Sequence, residues 1–159
     1  MKKLALLFAG LSLFVATGCN DDDDNDNEME YPLVGVWQPL KEVVTTVEVG
    51  EEPVSDLITY TDCQKDSRWR FNTEAAGKRT EWGEIGTTPQ CAITSDRNFT
   101  YTYDKSAKTV IVKYQGIVEP SNGKIITLND ATLNIAFREE TQDPTVYKTR
   151  TFTMKRIPQ

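Results

Sequence analysis

Apolar side chains between residues 33 and 157 recur at every second position rather than at every third or fourth. Phe99, Tyr101 and Tyr103 alternate with Thr100 and Thr102. Leu133, Ile135 and Phe137 alternate with Thr132, Asn134 and Ala136, and Trp69 and Phe71 with Arg68 and Arg70. A period of two puts the apolar set on one face of a strand and the polar set on the other, as in an antiparallel sheet with one dry face. Strands are predicted over residues 35–49, 67–72, 79–85, 98–103, 109–115, 124–128, 132–138 and 146–157. Tight turns are predicted at residues 104–107 and at Ser121-Asn122-Gly123, where Asn-Gly tolerates positive φ. Eight such strands joined by short turns predict an all-β domain, an eight-stranded antiparallel up-and-down barrel whose closure removes exposed sheet edges. A β-sandwich is the alternative. Cys63, Trp82 and Cys91 are the residue types of a sandwich core, but at about 8–12 residues per strand the cysteines lie too close together to bracket several strands.

The N-terminal residues follow another pattern. Lys2 and Lys3 precede an apolar run over residues 4–15, and small residues at Ala16-Thr17-Gly18 lead to Cys19 and the acidic Asp21 to Asp24. This is a signal peptide over residues 1–18, too short in its apolar part to span a bilayer comfortably. With Cys19 it resembles a bacterial lipoprotein signal; an ordinary secretory signal that happens to precede a cysteine is the alternative. The resemblance implies acyl chains on the Cys19 thiol and amine, and two or three chains anchor stably where one binds only marginally.

Residues 19–32 then read as the lipidated cysteine and a disordered acidic tether. Asp21, Asp22, Asp23, Asp24, Asp26, Glu28 and Glu30 leave almost nothing apolar to offset the entropy of ordering. Residues 33–159 remain for the barrel, enough for a sizeable core. The net charge of −6 belongs to the tether: the barrel segment itself has sixteen basic and seventeen acidic residues. An acidic stretch directly after the cysteine also resembles the surface-export signal of Bacteroidota lipoproteins. That implies a lipid-anchored outer-membrane protein exposed at the cell surface; a solvated spacer without an address is the alternative.

Composition excludes several chemistries. The chain has no histidine, so Ser-His and Cys-His nucleophilic arrangements are absent. Glu81 and Glu84 have opposite strand parity and Glu139-Glu140 reads as a solvated turn, so no carboxylate pair faces across a cleft as glycoside hydrolysis requires. The expectation is a protein that is not an enzyme and has no cofactor. Cys63 and Cys91 form an even pair in an oxidising compartment and predict a disulfide. Two thiols without histidine make a poor zinc site, and no C-x-x-C motif suggests redox work, so no metal is predicted. No basic stripe with interleaved aromatics points to nucleic acid.

At the first strand the chain reads Leu33-Val34-Gly35-Val36-Trp37, followed by Cys63 ahead of Trp69-Arg70-Phe71, then Cys91, and a closing strand from Phe152 to Ile157 with Lys155 and Arg156. After a short acidic linker, this order resembles the lipocalin-like domain of Bacteroidota lipoproteins. The resemblance implies that Gly35 and Trp37 are structural, with Trp37 plugging the narrow end of the barrel. A basic side chain of the last strand lies across that plug, and Arg156 has the parity for it. At the wide end the resemblance implies a small hydrophobic or amphiphilic ligand. Parity carried up from Phe152 reaches Arg150 and Lys148, which would meet an anionic head group, and Tyr101, Tyr103 and Arg150 are the candidate ligand contacts. Many large inward residues argue for a packed lower barrel. The alternative function is therefore a non-catalytic surface or accessory envelope protein with a filled barrel, contacting other proteins through residues 43–61 or 138–145.

Overall fold

The computed structural model describes residues 32–158. The signal peptide at 1–18, Cys19 and the tether as far as residue 31 lie outside the described residues. Among the described residues nine strands follow one another: β1 (Gly35–Glu48), β2 (Val54–Thr59), β3 (Arg68–Phe71), β4 (Ala76–Ile85), β5 (Gln90–Asp104), β6 (Thr109–Tyr114), β7 (Ser121–Leu128), β8 (Thr132–Glu139) and β9 (Val146–Ile157). A short 3-10 turn at Gln64–Asp66 precedes β3. All pairings are antiparallel. β9 returns to β1 along nearly its whole length, from Val36↔Ile157 to Glu48↔Val146, and this closes the sheet on itself. A continuous closed sheet rules out two stacked sheets; the fold is an eight-stranded antiparallel barrel.

Nine strands fill eight wall positions because β2 and β3 share one. β2 pairs with Lys41 to Thr46 of β1, and β3 pairs with Gly35 to Trp37 of the same strand. They are two halves of an interrupted strand, separated by residues 60–67. The segment 43–61, for which the sequence predicts a strand only as far as residue 49, is thus the end of β1, a hairpin and β2.

The Asn-Gly turn is a second correction. Asn122 and Gly123 lie inside β7, opposite Ile111 and Val110. A Cβ on Gly123 would sit 2.7 Å from a Phe137 ring carbon and 2.9 Å from a Val110 methyl, so this glycine is there for close packing. The turn at 105–108 forms where expected, with the Ala107 N–H donating to the Asp104 carboxylate at 2.9 Å. Glu139, expected in a turn, is the last residue of β8.

The interior is one cluster containing Trp37, Trp69, Phe71, Phe99, Val110, Val112, Leu133, Ile135, Phe152 and Met154, all nearly inaccessible to water. Most of its aromatic rings meet edge-to-face or tilted, with Phe71–Tyr101 centroids at 5.0 Å, Phe71–Phe99 at 5.3 Å and Trp69–Phe152 at 5.4 Å, while Trp69 stacks on Phe71 and Phe137. Strand direction assigns the two ends. β1 rises from the end at Trp37, β3 descends, β4 rises and β5 descends, so the start of β1 and the ends of β3, β5, β7 and β9 form the base.

At the base the Trp37 ring is fully buried and its N–H donates to the Leu33 carbonyl at 2.9 Å. The Arg156 guanidinium lies 4.2 Å from the ring centroid and donates to the carbonyls of Pro32 (2.7 Å), Val34 (2.9 Å) and Asp130 (2.9 Å). Gly35, at φ 146°, leaves room for it: a Cβ there would collide with the Arg156 side chain.

Candidate functional site

The upper barrel is polar inside. After Pro39 the β1–β9 register slips by one residue, a β-bulge that turns Glu42 and Val44 inward where unbroken alternation from Trp37 would place Lys41 and Val43. The Tyr60 N–H donates to the carbonyl of Leu40 at the bulge, 3.1 Å away. Glu42 is consequently a buried carboxylate, 6% exposed. Its two oxygens accept from the Tyr60 hydroxyl (2.8 Å) and from the Arg150 guanidinium. Arg150 also donates to Glu139 at 2.5 Å, and Lys148 approaches the second Glu139 oxygen at 3.5 Å. A buried charge is tolerated only when paired in this way.

Across the barrel, the guanidinium of Arg79 of β4 lies over Trp69, 4.3 Å from its centroid, and 5.4 Å from that of Phe152. It donates to the Tyr114 hydroxyl at 3.2 Å and to Glu81 at 2.5 Å, while its Nε is buried with no partner among the described residues.

These contacts shift the titrations. Hydrogen bonding from Arg150 holds the Glu139 carboxyl below its usual range against the opposing effect of burial, and the same bond raises Arg150. Burial, followed by the bond to Glu42, pushes the Tyr60 phenol up. For Arg79, burial works against the charge, but Tyr114 and Glu81 outweigh it and the guanidinium is raised. Both arginines therefore stay charged inside the barrel.

A cavity of about 410 Å³ opens above this network. Trp69, Phe137 and Phe152 form its apolar floor, Arg79, Tyr114 and Arg150 its polar middle, and Glu119, Arg138 and Glu140 its rim. A second cleft of about 510 Å³ reaches Arg79, Arg150 and Phe152 from the side, between Ile58 and Tyr60 on one bank and Trp82 to Glu84 on the other. Three side chains thus border both openings.

Arg150 and Lys148 lie on the interior row, but each is already held by carboxylates rather than waiting unpaired for an anion. Tyr101 and Tyr103 do not belong to this site, and here the expectation is corrected. They occupy the last turns of descending β5, opposite Val112 and Val110, at the base. Tyr101 is buried and donates to the Asn72 carbonyl at 2.7 Å. The tyrosine that reaches the cavity is Tyr114. Glu42, Tyr60, Arg79, Tyr114 and Glu139 are the site residues that the sequence reading missed. Cys63 and Cys91 are bonded, with Cα atoms 5.5 Å apart, joining the 60–67 excursion to β5 beside the side cleft. Among the described residues no three His, Cys, Asp or Glu side chains group as a metal site.

The family model of the lipocalin-like domain matches residues 33–135. Among solved structures, a deswapped triple mutant of bovine odorant binding protein is similar at 12% identity and a TM-score of 0.39, over 79% of this chain and 74% of that one. No curated protein matches the chain in sequence.

Proposed function

Since the chain belongs to the lipocalin-like domain family, we propose that it is a binding protein, lipid-anchored through Cys19 at the outer membrane and exposed at the cell surface, that holds a small amphiphilic ligand in the barrel mouth. The observation that carries this reading is the 410 Å³ cavity with an aromatic floor and two fixed arginines above it. The apolar part of the ligand rests on Phe137 and Phe152. Its polar head exchanges hydrogen bonds with Arg150, whose partner Glu139 is the more exposed of its two carboxylates and the easier to displace. Glu42, Glu81 and Glu139 are each held by an arginine, and the proposed role is non-catalytic.

The test is to purify the full chain in mild detergent, identify released small molecules by mass spectrometry, and measure rebinding to the wild type and to Phe137→Ala and Arg150→Gln. Recovery of one amphiphile whose affinity falls about tenfold in both variants supports the proposal. Recovery of nothing, or binding indifferent to both changes, overturns it. The anchor is tested separately: Cys19→Ala should abolish incorporation of labelled fatty acid, and protease added to intact cells should remove the barrel from the wild type.

A further inference from the structure

The interrupted wall strand leaves a seam. β4 pairs with β3 only from Gly77 to Thr80, and above that point Glu81 to Ile85 pair with β5 alone. β2 pairs with β1 alone and ends the strand order. Among the described residues, the outer edge of β2 therefore has no strand beside it. The excursion 60–67 does not pair with it, because that segment is fixed to the β4 and β5 side of the seam, at Trp82 and at Cys91 opposite Glu84, and to β1. The Tyr60 N–H goes to Leu40, Gln38 donates to the Lys65 carbonyl, the Ser67 hydroxyl accepts from the Trp82 N–H at 2.9 Å, and Cys63 is tied to Cys91.

An unpaired edge is a template for another strand, and proteins that leave one exposed blunt it with proline, lysine or a bulge. β2, Val54-Ser55-Asp56-Leu57-Ile58-Thr59, has no proline, lysine or bulge within it; Pro53 stands just before it and Asp56 is its one charge. Every residue in it is exposed, Val54 and Leu57 at 63% each, and Ile85 stands exposed across the seam. Register gives the edge two different faces. Val54, Asp56 and Ile58 lie beside Thr46, Val44 and Glu42 on the inward side, while Ser55 and Leu57 lie outside, where Ser55 bonds Thr45 at 2.9 Å. The acidic groups bordering the edge are Asp56, Glu51 and Glu52 of the β1–β2 hairpin and strand, and Glu84 across the cleft, none of them in an ion pair among the described residues; Lys41 lies opposite Thr59 on the paired side of β2.

We propose that the free edge of β2 receives an extended segment of a partner polypeptide, in which aliphatic residues alternate with lysine or arginine. Main-chain hydrogen bonds to the β2 edge supply the affinity. Aliphatic side chains pack beside Leu57 or Ile58, and the basic ones answer the unpaired carboxylates; strand addition with side-chain selection by alternation is an established mode of recognition. A second copy of this chain is the less suited occupant, since it would bring the same carboxylates to face one another. This inference does not rest on the ligand in the mouth.

The probe is a peptide of about eight residues alternating lysine and valine, compared with the same peptide N-methylated at every second amide and with a glutamate–valine version. Fluorescence anisotropy on the full chain gives affinity, and hydrogen–deuterium exchange locates the contact. The expected result is at least about tenfold weaker binding of the N-methylated and glutamate peptides, with the lysine peptide protecting amides of residues 54–59 and not those of β6 or β7. Leu57→Lys, a blunting change at an exposed position, should weaken the lysine peptide about tenfold, and Asp56→Lys should shift preference toward the glutamate peptide. Both variants must keep the wild-type exchange pattern at the base. Equal binding of the N-methylated peptide, protection elsewhere, or indifference to both substitutions overturns the proposal. So does concentration-dependent protection of residues 54–59 without peptide, which would assign the edge to a second copy.

Discussion

The two ends of the barrel solve closure in opposite ways. At the base the interior fills with Trp37, Leu33, Phe71 and Met154, with an arginine laid over the plug from outside, and the one register shift there, at Ile126 of β7, leaves the core apolar. At the mouth a bulge re-phases β1, one wall strand is interrupted, and the interior holds Glu42, Arg79, Glu139 and Arg150 in pairs. Stability is concentrated where the interior is apolar. Accessible chemistry is concentrated at the mouth, where the bulge in β1 turns a glutamate into the interior. The lower barrel therefore holds most of the apolar core while the upper barrel holds the polar groups.

This contrast can be broken by substitution. The largest effect is expected at the base: Trp37→Ala removes a fully buried ring, its bond to Leu33 and the platform for Arg156. Urea unfolding should show a loss of about 3–5 kcal/mol, with the whole domain weakened. Next is the staple at the seam. Replacing Cys63 and Cys91 by serine opens a loop of 28 residues and should cost about 3–4 kcal/mol on the chain-entropy account. Unlike Trp37→Ala, it should first raise deuterium exchange at residues 60–67 and 81–85, leaving the base protected.

Inside the mouth, Glu42→Ala leaves Arg150 with Glu139 alone and Tyr60 without its acceptor. A loss of about 2–3 kcal/mol is expected, below the full figure for breaking a buried pair because Arg150 keeps one carboxylate. Glu42→Leu combined with Arg150→Met should recover most of it in the same urea experiment. The smallest effect is acid sensitivity. The Glu139 carboxyl titrates lower in the folded protein, chiefly because Arg150 donates to it. Its contribution is therefore present above the ordinary glutamate range and disappears as pH falls through and below that range. At a partly exposed site it is worth about 1 kcal/mol or less. Urea midpoints from pH 7 to about pH 3 should separate the wild type from Glu139→Gln at the upper end and merge them at the lower.

The same contrast explains what the sequence reveals. Where period two runs unbroken, in residues 99–103, 132–137 and 152–154, the inward face can be read directly and the core follows from it. Parity fails at Leu40, where one inserted residue reverses every facing above it and hides Glu42. β2 escapes notice because an exposed edge strand carries no burial pattern. Asn122-Gly123 misleads because turn chemistry and close packing call for the same residue type. Tyr101 and Tyr103 face inward as their alternation says, but alternation gives a face and not a height. Only the up-and-down order of all the strands shows that they stand near Trp37 rather than beside Arg150.

Arg156 clasps the backbone oxygens of Pro32 and Val34, so the polypeptide enters the barrel through a grip at its packed base. Tension arriving through the N-terminus is spent against that grip and the β1–β9 seam before it can pry apart the upper wall. Such a molecule can be tugged from its root while its rim keeps its shape.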